Sequence, residues 1–163
     1  MAEKPAKPAS KPAKPDAIKV LIRNRKARHD YHIDEDFEAG LVLMGSEVKS
    51  LRDAKATLID AYGAVKNHEL WLENCQIQPY PQANQFNHEP FRPRKLLVSK
   101  QELRRLEAKL LAKGYTLIPL EIYVKKGIIK VQMGLARGKK DWDKRDSKRE
   151  KDVERDMARE RAD

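Results

Sequence analysis

Residues 116–136 hold two apolar–polar alternations back to back, and they constrain the fold more than any other stretch of the chain. In "TLIPLEIYV" the side chains of Ile118, Leu120, Ile122 and Val124 recur at every second position, and in "IIKVQMGLA" those of Ile129, Val131, Met133 and Leu135 do the same. A period of two is the signature of a strand with one buried face. Only Lys125-Lys126-Gly127 separates the two runs, which is room for a hairpin turn and nothing larger.

Further strands follow from the same test. "YHIDEDFEAGLVL" begins with Tyr31 and Ile33 on one face and His32 and Asp34 on the other, and reads as a long strand bent near Gly40. "AYGAVKNHELWLENCQI" reads as two strands around a turn at Asn67-His68. Two helices interrupt them. In "GSEVKSLRDAK" Ser46 is placed to cap, Glu47 suits the first turn, and Val48 with Leu51 marks an apolar side. In "SKQELRRLEAKLLAKG" Ser99 and Glu102 form a capping box, Leu103, Leu106 and Leu110 line one face, and Gly114 ends the helix. With about six strands, short turns and no βαβ repeat, the expected fold is mainly β with flanking helices: a small closed or nearly closed six-stranded barrel over residues 24–136.

The ends are different. Residues 3–16 repeat Lys-Pro at Lys4, Lys7, Lys11 and Lys14 with no hydrophobe larger than alanine, so residues 1–23 are expected to form a disordered basic arm. Residues 1–28 carry nine Lys/Arg against two acids, residues 29–136 fifteen against fourteen, and residues 137–163 eleven against nine. Basic ends on a neutral body point to a polyanion, nucleic acid before an anionic membrane. No stretch approaches the ~20 apolar residues of a membrane span, and the positive N-terminus has no apolar run behind it as a signal peptide would. The single cysteine, Cys75, excludes an internal disulfide and any cysteine-rich zinc site, which fits the cytoplasm.

Few residues suggest catalysis. HExxH, CxxC, GxSxG and phosphate-loop motifs do not occur. His29 and His32 are three apart, which on one strand puts them on opposite faces. A nuclease built on His88 and a carboxylate is the enzyme alternative, with a surface histidine in a polar loop preferred. The loop "QPYPQANQFNHEPFRPRK", residues 78–95, mixes Tyr80, Phe86 and Phe91 with Arg92, Arg94 and Lys95. That mixture suits base stacking and phosphate contact, although Tyr80 or Phe91 could equally pin the loop to the barrel.

"RKARHDYHIDEDFEAG", "GSEVKSLR", "YGAVKN", "RPRKLL", "KGYTLIPLEIY" and "GLARGKKDWDKRD" occur in that order, and together they closely resemble the SsrA-binding protein (small protein B) family from about Asn24 to Asp146. The resemblance implies an oligonucleotide-binding-type barrel and a non-enzymatic role in bacterial trans-translation. In that role the protein binds the tRNA-like domain of transfer-messenger RNA and works at stalled ribosomes, against ribosomal RNA of the decoding region and message channel. Elongation factor Tu takes part indirectly, through the charged RNA. No cofactor or metal is implied. A small ribosomal or general RNA-binding protein is the alternative function. Matched motifs suggest an RNA-binding set of Asn24, Arg25, Arg28, Glu38, Leu97 and Lys130, and a ribosome-binding set of Gly138, Lys139, Lys140, Trp142, Asp143, Lys144 and Arg145. Trp142 stands where many members carry histidine. A carboxylate such as Glu38 near phosphates needs a reason: it either accepts hydrogen bonds from base edges or pairs with a neighbouring cation.

On a helix, Lys144, Lys148, Lys151, Arg155 and Arg159 fall within an arc of roughly 80°. Many i,i+4 pairs are nevertheless alike in charge, such as Lys144/Lys148 and Asp152/Asp156, at a cost of about 0.2–0.5 kcal/mol each. The tail, residues 137–163, is therefore expected to be disordered when free and helical on the ribosome.

Overall fold

The computed structural model describes residues 18–112 and 114–162, with the side chains of Asn84, Asp141, Trp142 and Asp143 outside that description. Its strands are β1 (Lys19–Arg23), β2 (Tyr31–Leu41), β3 (Ala56–Thr57), β4 (Tyr62–Lys66), β5 (Glu69–Glu73), β6 (Gln76–Ile77), β7 (Arg94–Leu97), β8 (Tyr115–Lys125) and β9 (Ile128–Gly138). Its helices are α1 (Ala27–Asp30), α2 (Gly45–Arg52), α3 (Lys100–Leu110) and α4 (Asp141–Ala162), with a 3-10 turn at Pro81–Phe86.

The two alternating runs form the β8–β9 hairpin, closed by Lys126 and Gly127 at φ 51° and 75°. Asn67 and His68, at φ 52° and 58°, close the β4–β5 hairpin in the same way. Two successive positive φ values match the turn twist to that of the strands. The order β8-β4-β5-β7-β2-β9 returns to β8, so six strands make a closed ring, as the sequence implies. The second edge of β8 is shared end to end. β4 holds it at Leu117, and β1 holds it from Glu121 to Val124. Gly63 faces Leu117 so closely that a β-carbon there would lie 2.7 Å from that of Leu117.

The alternation in β8 does not run on one face throughout. Its register against β9 jumps between Pro119 and Glu121. The shift leaves Leu117 and Ile122 in the main core with Val131, Met133 and Leu135. Ile118 and Leu120 instead join Ala27 and Ala136 in a smaller cluster beneath α1. A bulge adds one residue to one strand and reverses the phase of the side chains.

Helix α3 starts as expected, with Ser99 Oγ accepting from the Glu102 amide at 3.2 Å. Leu106 is fully buried and Leu103 and Leu110 partly so. Arg105 and Lys109 both reach the Glu35 carboxylate and tie the helix to β2. Lys109 first, then Arg105, holds that carboxyl below the ordinary range. The cap at α2 differs from the expectation. Met44 precedes the helix and gives no side-chain cap, while Ser46 lies within the first turn.

The boundaries also move. Lys19–Arg23, expected within the disordered arm, is the strand β1, and Arg137 and Gly138, expected in the tail, close β9. The Lys-Pro repeat lies outside the described residues. His29 sits in α1 rather than on a strand with His32. Residues 141–162 are helical in this structure of the chain alone, although the charge pattern argues for disorder until RNA is met. Among the described residues, no helix is long and apolar enough to cross a membrane.

Candidate nucleic-acid interface

The outer face of β2, β8 and β9 carries a compact ionic group. Glu38 opposes Gln132 in the β2–β9 register, and Lys130 opposes both Gly40 and Tyr123. Lys130 Nζ donates to Glu38 Oε1 at 2.8 Å, and Lys125 Nζ lies 3.6 Å from Oε2. The Tyr123 hydroxyl donates to Glu38 Oε2 from a ring that is almost wholly buried. Lys130 first, then Tyr123, depresses the Glu38 carboxyl to about 2. Burial first, and the Glu38 partner next, pushes the Tyr123 phenol upward. Glu38 is therefore a fixed anion that already holds two ammonium groups.

Leu97 belongs to the same face. It opposes Gly40 in the β2–β7 register, and a β-carbon on Gly40 would lie 3.2 Å from that of Leu97. Gly40 and Glu38 point to the same side of β2, so Leu97, half exposed, lies alongside the ionic group. Beyond Gln132 the face runs into a cleft of about 430 Å³, lined in part by Arg25, Arg28, Asp36, Gln132 and Lys151. Arg25 and Arg28 are exposed. Asn24 lines the cleft too, but its amide points inward. Nδ2 donates to Pro119 O at 3.0 Å and Leu58 O at 3.3 Å, and the Asn24 backbone amide donates to Leu120 O at 2.8 Å. Asn24 thus braces the turn that presents Arg25 and Arg28.

The 78–95 loop is not the phosphate-binding element that its composition suggests. Arg94 lies on β7 and is fully buried, its Nε donating to Glu47 Oε2 at 3.0 Å. Nη1 donates to Cys75 O at 2.5 Å and Nη2 to Pro90 O at 3.1 Å. Arg92 Nη2 lies 2.8 Å from Glu47 Oε1. Both guanidinium groups are committed to one buried carboxylate. His88 is not a surface histidine either. It is buried, its two ring nitrogens paired with Ser46 Oγ at 2.8 Å and Ile77 O at 2.9 Å. These bonds lock the loop onto α2. Phe86 and Phe91 remain exposed.

The junction with the tail is built on α1. The Lys139 amide donates to Asp30 O at 2.9 Å, and Lys139 Nζ donates to Arg28 O at 3.0 Å and pairs with Ser147 Oγ at 2.9 Å. Lys144 Nζ lies 4.0 Å from Asp30 Oδ1. His29 first, and Lys144 after it, lowers the Asp30 carboxyl. Gly138 opposes Tyr31 at the end of β9, and the Lys140 carbonyl accepts from the Lys144 amide at 3.2 Å. Arg145 is exposed, as is the rest of α4 beyond Ser147. Trp142 and Asp143 are in the first turn of α4, and their side chains lie outside the described residues.

The sequence pattern of the SmpB protein family matches residues 21–163. The chain belongs to the SmpB protein family. It is 55% identical over 141 residues to the SsrA-binding protein of Desulforudis audaxviator (strain MP104C), covering 86% of this chain and 92% of that one. It is 51% identical over 141 residues to the SsrA-binding protein of Bacillus cytotoxicus, covering 86% and 91%. A solved structure described as "tmRNA-SmpB: a journey to the center of the bacterial ribosome" superposes with a TM-score of 0.63 at 50% identity, over 74% of this chain and 85% of that one.

The SmpB match starts inside β1 and runs through α4, so it takes in every candidate residue named above. Sequence reasoning for the SmpB site missed Tyr123, Lys125 and Gln132. The alternation around Tyr123 marks it as a strand residue, but only the register against β9 and β2 brings its hydroxyl to Glu38. The basic Lys125-Lys126 turn was visible, yet nothing in it indicates that Lys125 turns back toward Glu38.

Proposed function

We propose that this chain is the RNA-binding adaptor of trans-translation, holding the tRNA-like domain of transfer-messenger RNA and bringing it to stalled ribosomes for rescue and peptide tagging. The observation that carries this reading is the gathering of Glu38, Lys130 and Leu97 on one outer face that continues to Arg25 and Arg28. These residues are far apart in sequence, and a face that collects paired cations, an exposed leucine and two exposed arginines suits a folded RNA. Family membership and the SsrA-binding relatives support the choice of RNA. The protein acts in the cytoplasm by binding alone, and elongation factor Tu joins through the charged RNA. Asn24 contributes by bracing the turn that carries Arg25 and Arg28.

The ribosome-facing part is the segment from Gly138 to Arg145 with α4 behind it. The apolar side chains Val153 and Met157 of α4 are exposed, and its like-charge pairs make the helix marginal in the free chain. Ribosomal RNA of the decoding region and message channel rewards its basic arc and holds it folded. Trp142 stacks on a base, in the place where many relatives carry histidine.

The test pairs two assays on the same proteins. In a gel-shift titration the chain binds the tRNA-like RNA far more tightly than random RNA of equal length. In a reconstituted tagging assay, truncation after Lys139, which keeps β9 whole, abolishes tagging and leaves RNA binding nearly intact. Trp142→Ala reduces tagging and Trp142→His preserves most of it. Equal binding of random RNA favours a general RNA-binding protein instead, and normal tagging by the truncated chain refutes the account of the tail.

A further inference from the structure

We propose that Glu38 reads no base: it is the built-in counter-anion of a phosphate clamp made by Lys125 and Lys130, with the Tyr123 hydroxyl fixing its orientation. The ligand is one backbone phosphate of the bound RNA. The inference rests on the proposed RNA face and assigns chemistry within it.

A base-reading carboxylate must offer free acceptor sites to amino groups. Glu38 offers few. Lys130 occupies Oε1, and Tyr123 and Lys125 crowd Oε2. An amino group from guanine would have to share an oxygen already held by an ammonium or by a buried phenol, and the ammonium is the stronger, charge-assisted partner.

The same geometry suits a phosphate. Lys125 ends β8 and Lys130 lies near the start of β9, one on each side of the Lys126-Gly127 turn. Each ammonium has three donors; Lys130 gives one of them to Glu38 at 2.8 Å, and Lys125 lies in ion-pair range at 3.6 Å. The carboxylate therefore draws two long, flexible side chains to within 4 Å of one point and leaves their remaining donors for solvent or ligand. Without it the two cations repel each other and spread over many rotamers, an ordering cost that falls on RNA binding. Tyr123 is buried, comes from β8, and also lies 3.4 Å from Gln132 Oε1. It cannot follow the carboxylate if that rotates, so it sets which oxygen faces which lysine. Glu38 and Tyr123 are positioning residues, and the two lysines make the contact.

The experiment is a set of binding titrations on the full chain with tRNA-like RNA at several salt concentrations. Lys125→Ala is expected to lower the slope of log K against log salt by about one. Glu38→Ala lowers it by a similar amount, and the double variant Glu38→Ala/Lys125→Ala falls short of the summed single losses, because both remove the same clamp. Tyr123→Phe weakens binding about fivefold at a temperature where the body of the variant is still fully folded. Replacing guanosine by inosine, which lacks the amino group, at each loop position leaves the effect of Glu38→Ala unchanged. If one inosine substitution abolishes the effect of Glu38→Ala, or if Glu38→Ala keeps the wild-type salt slope while weakening binding, Glu38 reads a base and the clamp is refuted. Arg28→Ala and Leu97→Asp test the face separately. If both bind normally, the face itself is wrong; if both weaken binding while the clamp arms fail, only the clamp is wrong.

Discussion

Glu47→Ala should be the most damaging single truncation of a charged side chain in the body. The Glu47 carboxylate and the Arg94 guanidinium are fully buried, 3.0 Å apart, and Arg92 adds a second cation at 2.8 Å. Removing the carboxylate leaves Arg94 charged in the interior with backbone carbonyls, those of Cys75, Pro90 and Glu89, as its acceptors. Breaking one side of a buried pair costs about 3–5 kcal/mol, against a total stability of about 5–15 kcal/mol. At roughly 3–4 °C per kcal/mol for a body of this size, the melting temperature should fall by about 10–20 °C. Urea unfolding gives the free energy directly. It is best followed through Trp71 in a Trp142→Phe background, so that the tail does not contribute to the signal. Glu47→Met/Arg94→Met should lose less than the sum of the two single variants, because it removes both buried charges and keeps much of the volume. A loss below about 1 kcal/mol for Glu47→Ala would refute the reasoning, because the buried arginine would then need no anion.

Leu106→Ala should cost about 2–5 kcal/mol in the same urea assay, since the side chain is fully buried between α3 and the barrel; an unchanged midpoint would mean that α3 is peripheral. Gly63→Ala should cost about 1–3 kcal/mol, because the new methyl group meets the Leu117 β-carbon at 2.7 Å and neither strand can withdraw from the closed ring. Tyr123→Phe should raise the titration midpoint of Glu38 above its value of about 2, read by carbon-detected NMR of the carboxyl. A carboxyl depressed by folding contributes stability that is complete above its ordinary titration range and is lost as pH falls toward about 2. Removing one stabilising donor therefore narrows that acid-side window, and an unmoved midpoint would remove Tyr123 from the cluster.

Local rules carried the elements whose meaning is local. The β8–β9 hairpin, the two positive-φ residues at Asn67-His68 and the Ser99 cap of α3 depend on neighbours in sequence, and each is where the residues place it, although the bulge after Pro119 breaks the single face that the β8 alternation implies. The strand β1 was hidden because "KVLIR" follows a Lys-Pro arm and owes its order to the open edge of β8. His88 and Arg94 read as surface groups because their partners, Ser46 and Glu47, lie 42 and 47 positions away in sequence. The candidate RNA residues were legible only through family motifs. That Glu38 and Lys130 touch, and that Asn24 turns inward, follows from register and from a bulge that sequence does not announce.

The register also fixes where the chain enters and leaves the barrel. Lys19 opposes Val124, which opposes Ile129, whereas β9 runs on to Gly138 before α4 begins. The nine steps from Ile129 to Gly138, at about 3.3 Å each, set the two exits about 30 Å apart along one strand direction. That is several times the ~8–10 Å over which exposed charges act at physiological salt. Lys19 and Lys139, one at each of these two points, therefore act on separate spots of the barrel surface, and the charge of either can be exchanged without altering the field at the other.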